Sequence, residues 1–167
     1  MMSLDYYLRK SARGDHNAAY EAAKIMQLEK YSEVMVQAQL RKAASLGSVD
    51  AMRWLGFLGL SGKLISPEST VTKISYYNTY DHAYNWFVKG SQKGDALSTF
   101  VVGTCLQHGI GTSQDTQKSK EIMSDVSSKV SVDVVLPIIF LFNTLHSSAT
   151  ACGKSLDEDV IEKIVCN

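Results

Sequence analysis

The sequence predicts an all-α fold made of repeated helix pairs, and three observations carry that prediction. A small or polar cluster, a Gly, then Asp or Ser returns as KSARGDHNA, AASLGSVDA and GSQKGDALS, anchored on Gly14, Gly47 and Gly94. Each copy can end one helix and start the next. The Gly supplies a left-handed turn, and Asp15, Ser48 or Asp95 supplies a side-chain oxygen for the N–H groups at the start of the following helix. Finally, no stretch of four to eight residues alternates apolar and polar between turn signals, so essentially no sheet is expected.

Taken in order, a helix over 3–13 runs into Gly14. A second, over 15–29, begins on Asp15 and keeps the small residues Ala18, Ala22 and Ala23, but has Glu29 where later copies have Gly62 and Gly109. Helices over 32–46 and 48–61 flank Gly47, and helices over 81–93 and 95–108 flank Gly94. Gly109 and Gly111 then break the chain, and Asp115 caps a helix over 115–128 that has Lys118 and Ser119 in its first turn. The run Val134–Phe142 is about half of what a bilayer needs, so 132–149 reads as a buried helix. Ser155 to Glu158 forms a capping box for a last helix over 155–165.

Leu55-Gly56 corresponds to Val102-Gly103 and Gly62 to Gly109, all 47 residues apart, whereas Gly14 and Gly47 are 33 apart. The longer step contains an insertion at 64–80, LISPESTVTKISYYNTY. Its Pro67 and its Tyr76, Tyr77 and Tyr80 suggest an ordered surface loop or a short extra helix, because aromatics favour packing. The chain reads as a single domain over 1–167. Its repeat units span about 15–46, 48–93 with the insertion, and 95–128. A degenerate unit at 130–167 has lost its turn Gly near Ser128 and carries Pro137 in place of a small residue.

Composition narrows the function. With 45% apolar and 20% charged residues the chain reads as an ordinary soluble protein with a sizeable core. The 17 basic side chains balance 17 acidic ones, which removes the field that sequence-independent nucleic-acid binding needs. Three cysteines without ligand spacing fit a reducing compartment, and charge precedes any apolar stretch at the N-terminus. A cytoplasmic location is expected, with no membrane and no nucleic-acid partner.

The pattern resembles the Sel-one-like repeat family, relatives of the tetratricopeptide repeats. The resemblance is most specific from Gly94 to Ser119, where Ser98, Val102-Gly103, Gly109, Gly111, Asp115 and Lys118-Ser119 follow at family spacing. It is good from Asp50 to Gly62 with Asp81, Ala83 and Trp86, weaker in the first unit, and positional only after residue 130. It implies a right-handed superhelix, or solenoid, of antiparallel helix pairs whose first helices line a concave face. The groove positions so implied are Tyr20, Lys24, Gln27 and Leu28, then Arg53, Phe57, Leu60 and Ser61, then Phe100, Thr104, Gln107 and His108. Aromatics beside hydrogen-bonding groups and a cation suit a peptide or a protein protrusion. In competition, Phe57, Leu60 and Phe100 can pack inward between helices.

Catalytic readings fare worse. Cys105 and His108 sit three apart on one predicted helix, but Cys105 takes a core position and no second ligand cluster accompanies it. Gly109-Ile-Gly111 follows a helix rather than a strand and lacks the Lys of a phosphate loop. Asp157, Glu158 and Asp159 complement a helix N-terminus. No catalytic, cofactor or metal residue is therefore assigned. The expectation is a non-catalytic module binding another protein, plausibly a stoichiometric inhibitor such as a toxin-immunity protein. An adaptor for a short peptide motif comes second and a small enzyme third. The tyrosines of the insertion, Tyr76, Tyr77 and Tyr80, join the groove as candidate partner contacts.

Overall fold

The computed structural model describes residues 2–148; the expected helix over 155–165, the acidic group at 157–159 and the second half of the degenerate unit lie outside the described residues. Eight helices follow one another: α1 (Leu4–Ala12), α2 (His16–Leu28), α3 (Glu33–Ser45), α4 (Val49–Leu60), α5 (Asp81–Gln92), α6 (Ala96–His108), α7 (Thr116–Val126) and α8 (Val132–Ser148). Each matches an expected helix to within a residue or two at its ends. The turns work as the repeat predicts. Gly14, Gly47 and Gly94 hold φ of +92°, +107° and +82°, and the Asp15, Ser48 and Asp95 side chains accept from the N–H groups of Ala18, Ala51 and Ser98. In the first copy the left-handed residue is Lys30, with φ +58°, so that turn forms without a Gly. The Tyr31 N–H then donates to the Met26 carbonyl at 2.9 Å and closes α2.

The backbone divides into two compact units, Met1–Asn78 and Thr79–Asn167. In the first, α1 packs on α2, α2 on α3 and α3 on α4. Its core mixes small and large: Ala19, Ala22 and Ala23 of α2, Leu40 and Ala43 of α3, and Leu55 of α4 are all buried. Alanine at the contacts lets the helix backbones approach, and leucine fills the remaining space.

In the second unit α6 is the hub, in contact with α5, α7 and α8. Every residue from Phe100 through Leu106 is buried. Two of its contacts are close enough to dictate residue size. A Cβ on Gly90 of α5 would stand 2.9 Å from the Ser98 Cβ, and Ser98 is itself tied to Asp95 by both its N–H and its hydroxyl. A Cβ on Gly103 would stand 2.7 Å from the Met123 sulfur of α7, while the Ser119 hydroxyl donates to the Gly103 carbonyl at 2.7 Å.

The insertion is neither helix nor shapeless loop. It folds back on itself, with Ile65 paired antiparallel to Tyr76 and Thr70 to Lys73. These two isolated pairings are the whole β content of the described residues; no strand forms among them.

Candidate partner-binding site

The expected groove residues do not share one environment. Phe57 and Leu60 of α4 are each 1% exposed, and Phe100 and Thr104 of α6 are 4% and 5% exposed. Tyr20 is buried too, its ring edge against Trp54 at 6.1 Å. The assignment of these side chains to a partner surface is corrected by their burial: they fill the protein's interior. The physical reason is legible in α4 and α6, which are apolar around most of their circumference, and a helix of that kind is buried on both faces. Thr104 satisfies its hydroxyl by donating to the Phe100 carbonyl at 3.0 Å.

The other expected groove residues are wholly or partly accessible. Lys24 pairs with Glu21 at 2.9 Å and stands 5.4 Å over the Tyr20 ring. Gln27 is exposed and Leu28 is 73% exposed. Arg53 is half-buried and pairs with Asp50 at 3.4 Å. Gln107 is exposed, and its carbonyl accepts from the Gln114 amide at 2.9 Å. His108 is half-buried and stacks on Phe142 of α8, ring centres 6.3 Å apart.

The insertion is the more organised feature. Gln37 on α3 is buried, and its amide is used at both ends: the nitrogen donates to the Lys63 carbonyl and the oxygen accepts from the Ile65 N–H, both at 2.8 Å. That is the hydrogen-bond pattern a neighbouring strand would offer. The Arg41 guanidinium, one helical turn on, donates to the Ile65 carbonyl, and burial pushes it down from its ordinary value. Leu64 and Ile65 are buried beneath these bonds. Above them the Ser66 N–H donates to the Ser75 carbonyl at 2.8 Å and the Tyr77 N–H to the Leu64 carbonyl at 2.9 Å. Ser69 accepts from the Ser75 N–H at 2.9 Å, which ties the arms together near the tip.

A hairpin fastened in this way displays Val71, Ile74 and Tyr76 at 62%, 43% and 48% exposure. The Tyr76 hydroxyl donates to the Glu33 carboxylate at 3.4 Å, and partial burial together with that carboxylate pushes it up from its ordinary value. Tyr77 is half-buried and Tyr80 exposed. Sequence reasoning chose the tyrosines and missed Gln37 and Arg41. The signal was a Gln between Val36 and Leu40 on the buried face of α3, where an unpartnered amide would be costly.

Burial pushes the Cys105 thiol up to about 12, which leaves almost none of it as thiolate near neutral pH. Among the described residues no three His, Cys, Asp or Glu side chains converge on a point that could hold a metal ion. No described helix is long and apolar enough to cross a membrane.

The chain matches no protein-family model and no curated protein. Solved structures do resemble it. A crystal structure of a Sel1 repeat protein from Oxalobacter formigenes aligns over 78% of this chain and 92% of its own, with 18% identity and a TM-score of 0.62. The protective antigen c5321 of uropathogenic Escherichia coli, which displays an SLR fold, aligns over 92% of this chain with 16% identity and a TM-score of 0.50. This chain spans 36% of the length of that antigen. Gly-turned helix pairs and these two likenesses agree, and the fold is the all-α helical repeat of the Sel1-like proteins.

Proposed function

We propose that the chain works without catalysis, by binding a partner protein in the cytoplasm, and that the insertion hairpin is its principal contact. The observation that carries this reading is the hairpin itself: a loop foreign to the repeat, pinned by Gln37 and Arg41, with Val71, Ile74 and Tyr76 exposed on it. An ordered loop loses little conformational entropy on binding, and an exposed Tyr offers large contact area with few rotors to freeze. Because one chain-specific feature carries the contact, the partner is a single cognate protein, and the role is that of a stoichiometric inhibitor such as the immunity protein of a secreted or contact-delivered toxin. Exposed Leu28 beside Gln27 and Lys24 favours a second reading, an adaptor that takes a short peptide at the end of α2.

The test starts from a partner recovered with the chain from its native cell. Replacing Val71, Ile74 and Tyr76 together with Ser is expected to cost at least about 2 kcal/mol of binding, the size of a hot spot. Lys24→Ala with Gln27→Ala is expected to cost under about 0.5 kcal/mol. The reverse order supports the adaptor. A one-to-one complex at roughly nanomolar Kd or tighter fits an inhibitor, and roughly micromolar binding of a short peptide does not.

A further inference from the structure

The two arms of the insertion hairpin have unlike edges. In an antiparallel pair the main-chain groups of successive residues point alternately toward the facing strand and away from it. The Ser66 N–H reaches the Ser75 carbonyl at 2.8 Å and the Tyr77 N–H reaches the Leu64 carbonyl at 2.9 Å, while Thr70 and Lys73 exchange both main-chain bonds at 2.9 and 3.1 Å. Ile65 and Tyr76, paired between the first two bonds, therefore turn their own groups outward. On the first arm that edge is closed, because Gln37 and Arg41 of α3 take the Ile65 N–H and carbonyl. On the second arm Lys73, Ser75 and Tyr77 point in, so Ile74 and Tyr76 point out. The N–H and carbonyl of Ile74 and of Tyr76 have no hydrogen-bond partner among the described residues. Residues 73–76 are all exposed.

Two donors and two acceptors thus alternate along roughly 7 Å of extended chain. Their complement is a second extended main chain, since a helix uses its own N–H and carbonyl groups internally. The Ile74 and Tyr76 side chains share one face of the arm, and at 43% and 48% exposure they offer cross-strand neighbours to apolar residues of an added strand. Two copies of this chain paired through the edge alone would bury far less than the roughly 1,200 Å² at which stable interfaces begin. A partner of different shape can cover Val71 at the tip as well.

The geometry points to strand addition: the partner protein lays an extended segment, apolar at alternate positions, along the Ile74–Tyr76 edge and becomes the third strand of the hairpin. This rests on the reading of the hairpin as the principal contact, and it states how that contact is made. Main-chain bonds hold the segment, and Ile74 and Tyr76 select its side chains.

Amide hydrogen exchange tests this on the full chain, alone and with the purified protein that is recovered with it from its native cell. In the free chain the Ser75 and Tyr77 amides are expected to exchange slowly and those of Ile74 and Tyr76 at close to unprotected rates. In the complex Ile74 and Tyr76 are expected to slow at least about tenfold. Ile74→Pro removes an edge donor without removing a bond inside the hairpin, and is expected to weaken binding at least about tenfold. Ile74→Val keeps the donor and is expected to change binding less than about threefold. Should Ile74→Pro loosen the hairpin, seen as faster Tyr77 exchange, an amide-to-ester replacement of the Ile74 N–H takes its place, with an expected loss of about fivefold. The inference is overturned by edge amides already slow in the monomeric free chain, or by a dimer of the chain alone that protects Ile74 and Tyr76. It is overturned too by edge amides that stay fast in the complex. In that case, if serine at Val71, Ile74 and Tyr76 still weakens binding, the hairpin docks by its side chains and the proposed function stands; if it does not, the hairpin is not the contact and that reading falls as well.

Discussion

Gly111 is required twice over, by its backbone and by its neighbour. Its φ is +69°, and a Cβ there would stand 2.7 Å from the Tyr80 carbonyl carbon, a backbone atom that cannot swing aside. Gly62 has a similar φ of +74° with nothing within 4 Å. Gly62→Ala is therefore expected to cost about 1 kcal/mol, the conformational strain alone, and Gly111→Ala at least about 2 kcal/mol more through the clash. Denaturant unfolding of the two variants checks the difference. Cys105 makes a second residue-scale prediction. Burial raises its thiol from 9.0 to about 12, so the folded chain holds a proton that the unfolded chain releases above 9. The thiol's contribution to stability is complete below pH 9 and is lost as pH rises toward about 12. Below that window, alkylation of Cys105 in the native protein is expected to be slow and to accelerate only with unfolding.

Among the elements, most helices were legible in the sequence because they carry their own punctuation, although α5 starts after Tyr80 with no side-chain cap. Asp15, Ser48, Asp95 and Asp115 cap the helices they precede, and Ser3 and Ser32 do the same for α1 and α3. The capping signals are local, so one sequence suffices to read them. The groove was not legible, since family spacing places Phe57, Leu60 and Phe100 by analogy while their burial depends on how apolar the rest of α4 and α6 is. The fastening of the insertion was also missed, because Gln37 and Ile65 are 28 residues apart and no local pattern links them. Gln37→Leu keeps the volume but leaves the Lys63 carbonyl and the Ile65 N–H without their partner. It is expected to destabilise by roughly 2 to 4 kcal/mol and to release the hairpin from α3, seen as lost protection of the Ile65 and Tyr77 amides.

For the whole molecule, the far-ultraviolet spectrum is expected to be that of a helical protein, with the two isolated pairings of the insertion too short to register. Replacing 67–74 with a short Gly/Ser turn is expected to leave that spectrum unchanged and to move stability by no more than about 1 kcal/mol, because most side chains in this stretch are exposed and the fastening lies below it. Thermal unfolding of the turn variant checks this. The amide of Gln37 reads only main-chain atoms, those of Lys63 and Ile65. Main-chain atoms are the same whatever side chains follow. The scaffold therefore has a socket that does not care what is plugged into it: new tips of different length and chemistry can be exchanged above Ile65 without re-solving the packing of α3. Variation in relatives of this chain is expected to concentrate there, so that the tip can change quickly while the helices that bear it stay put.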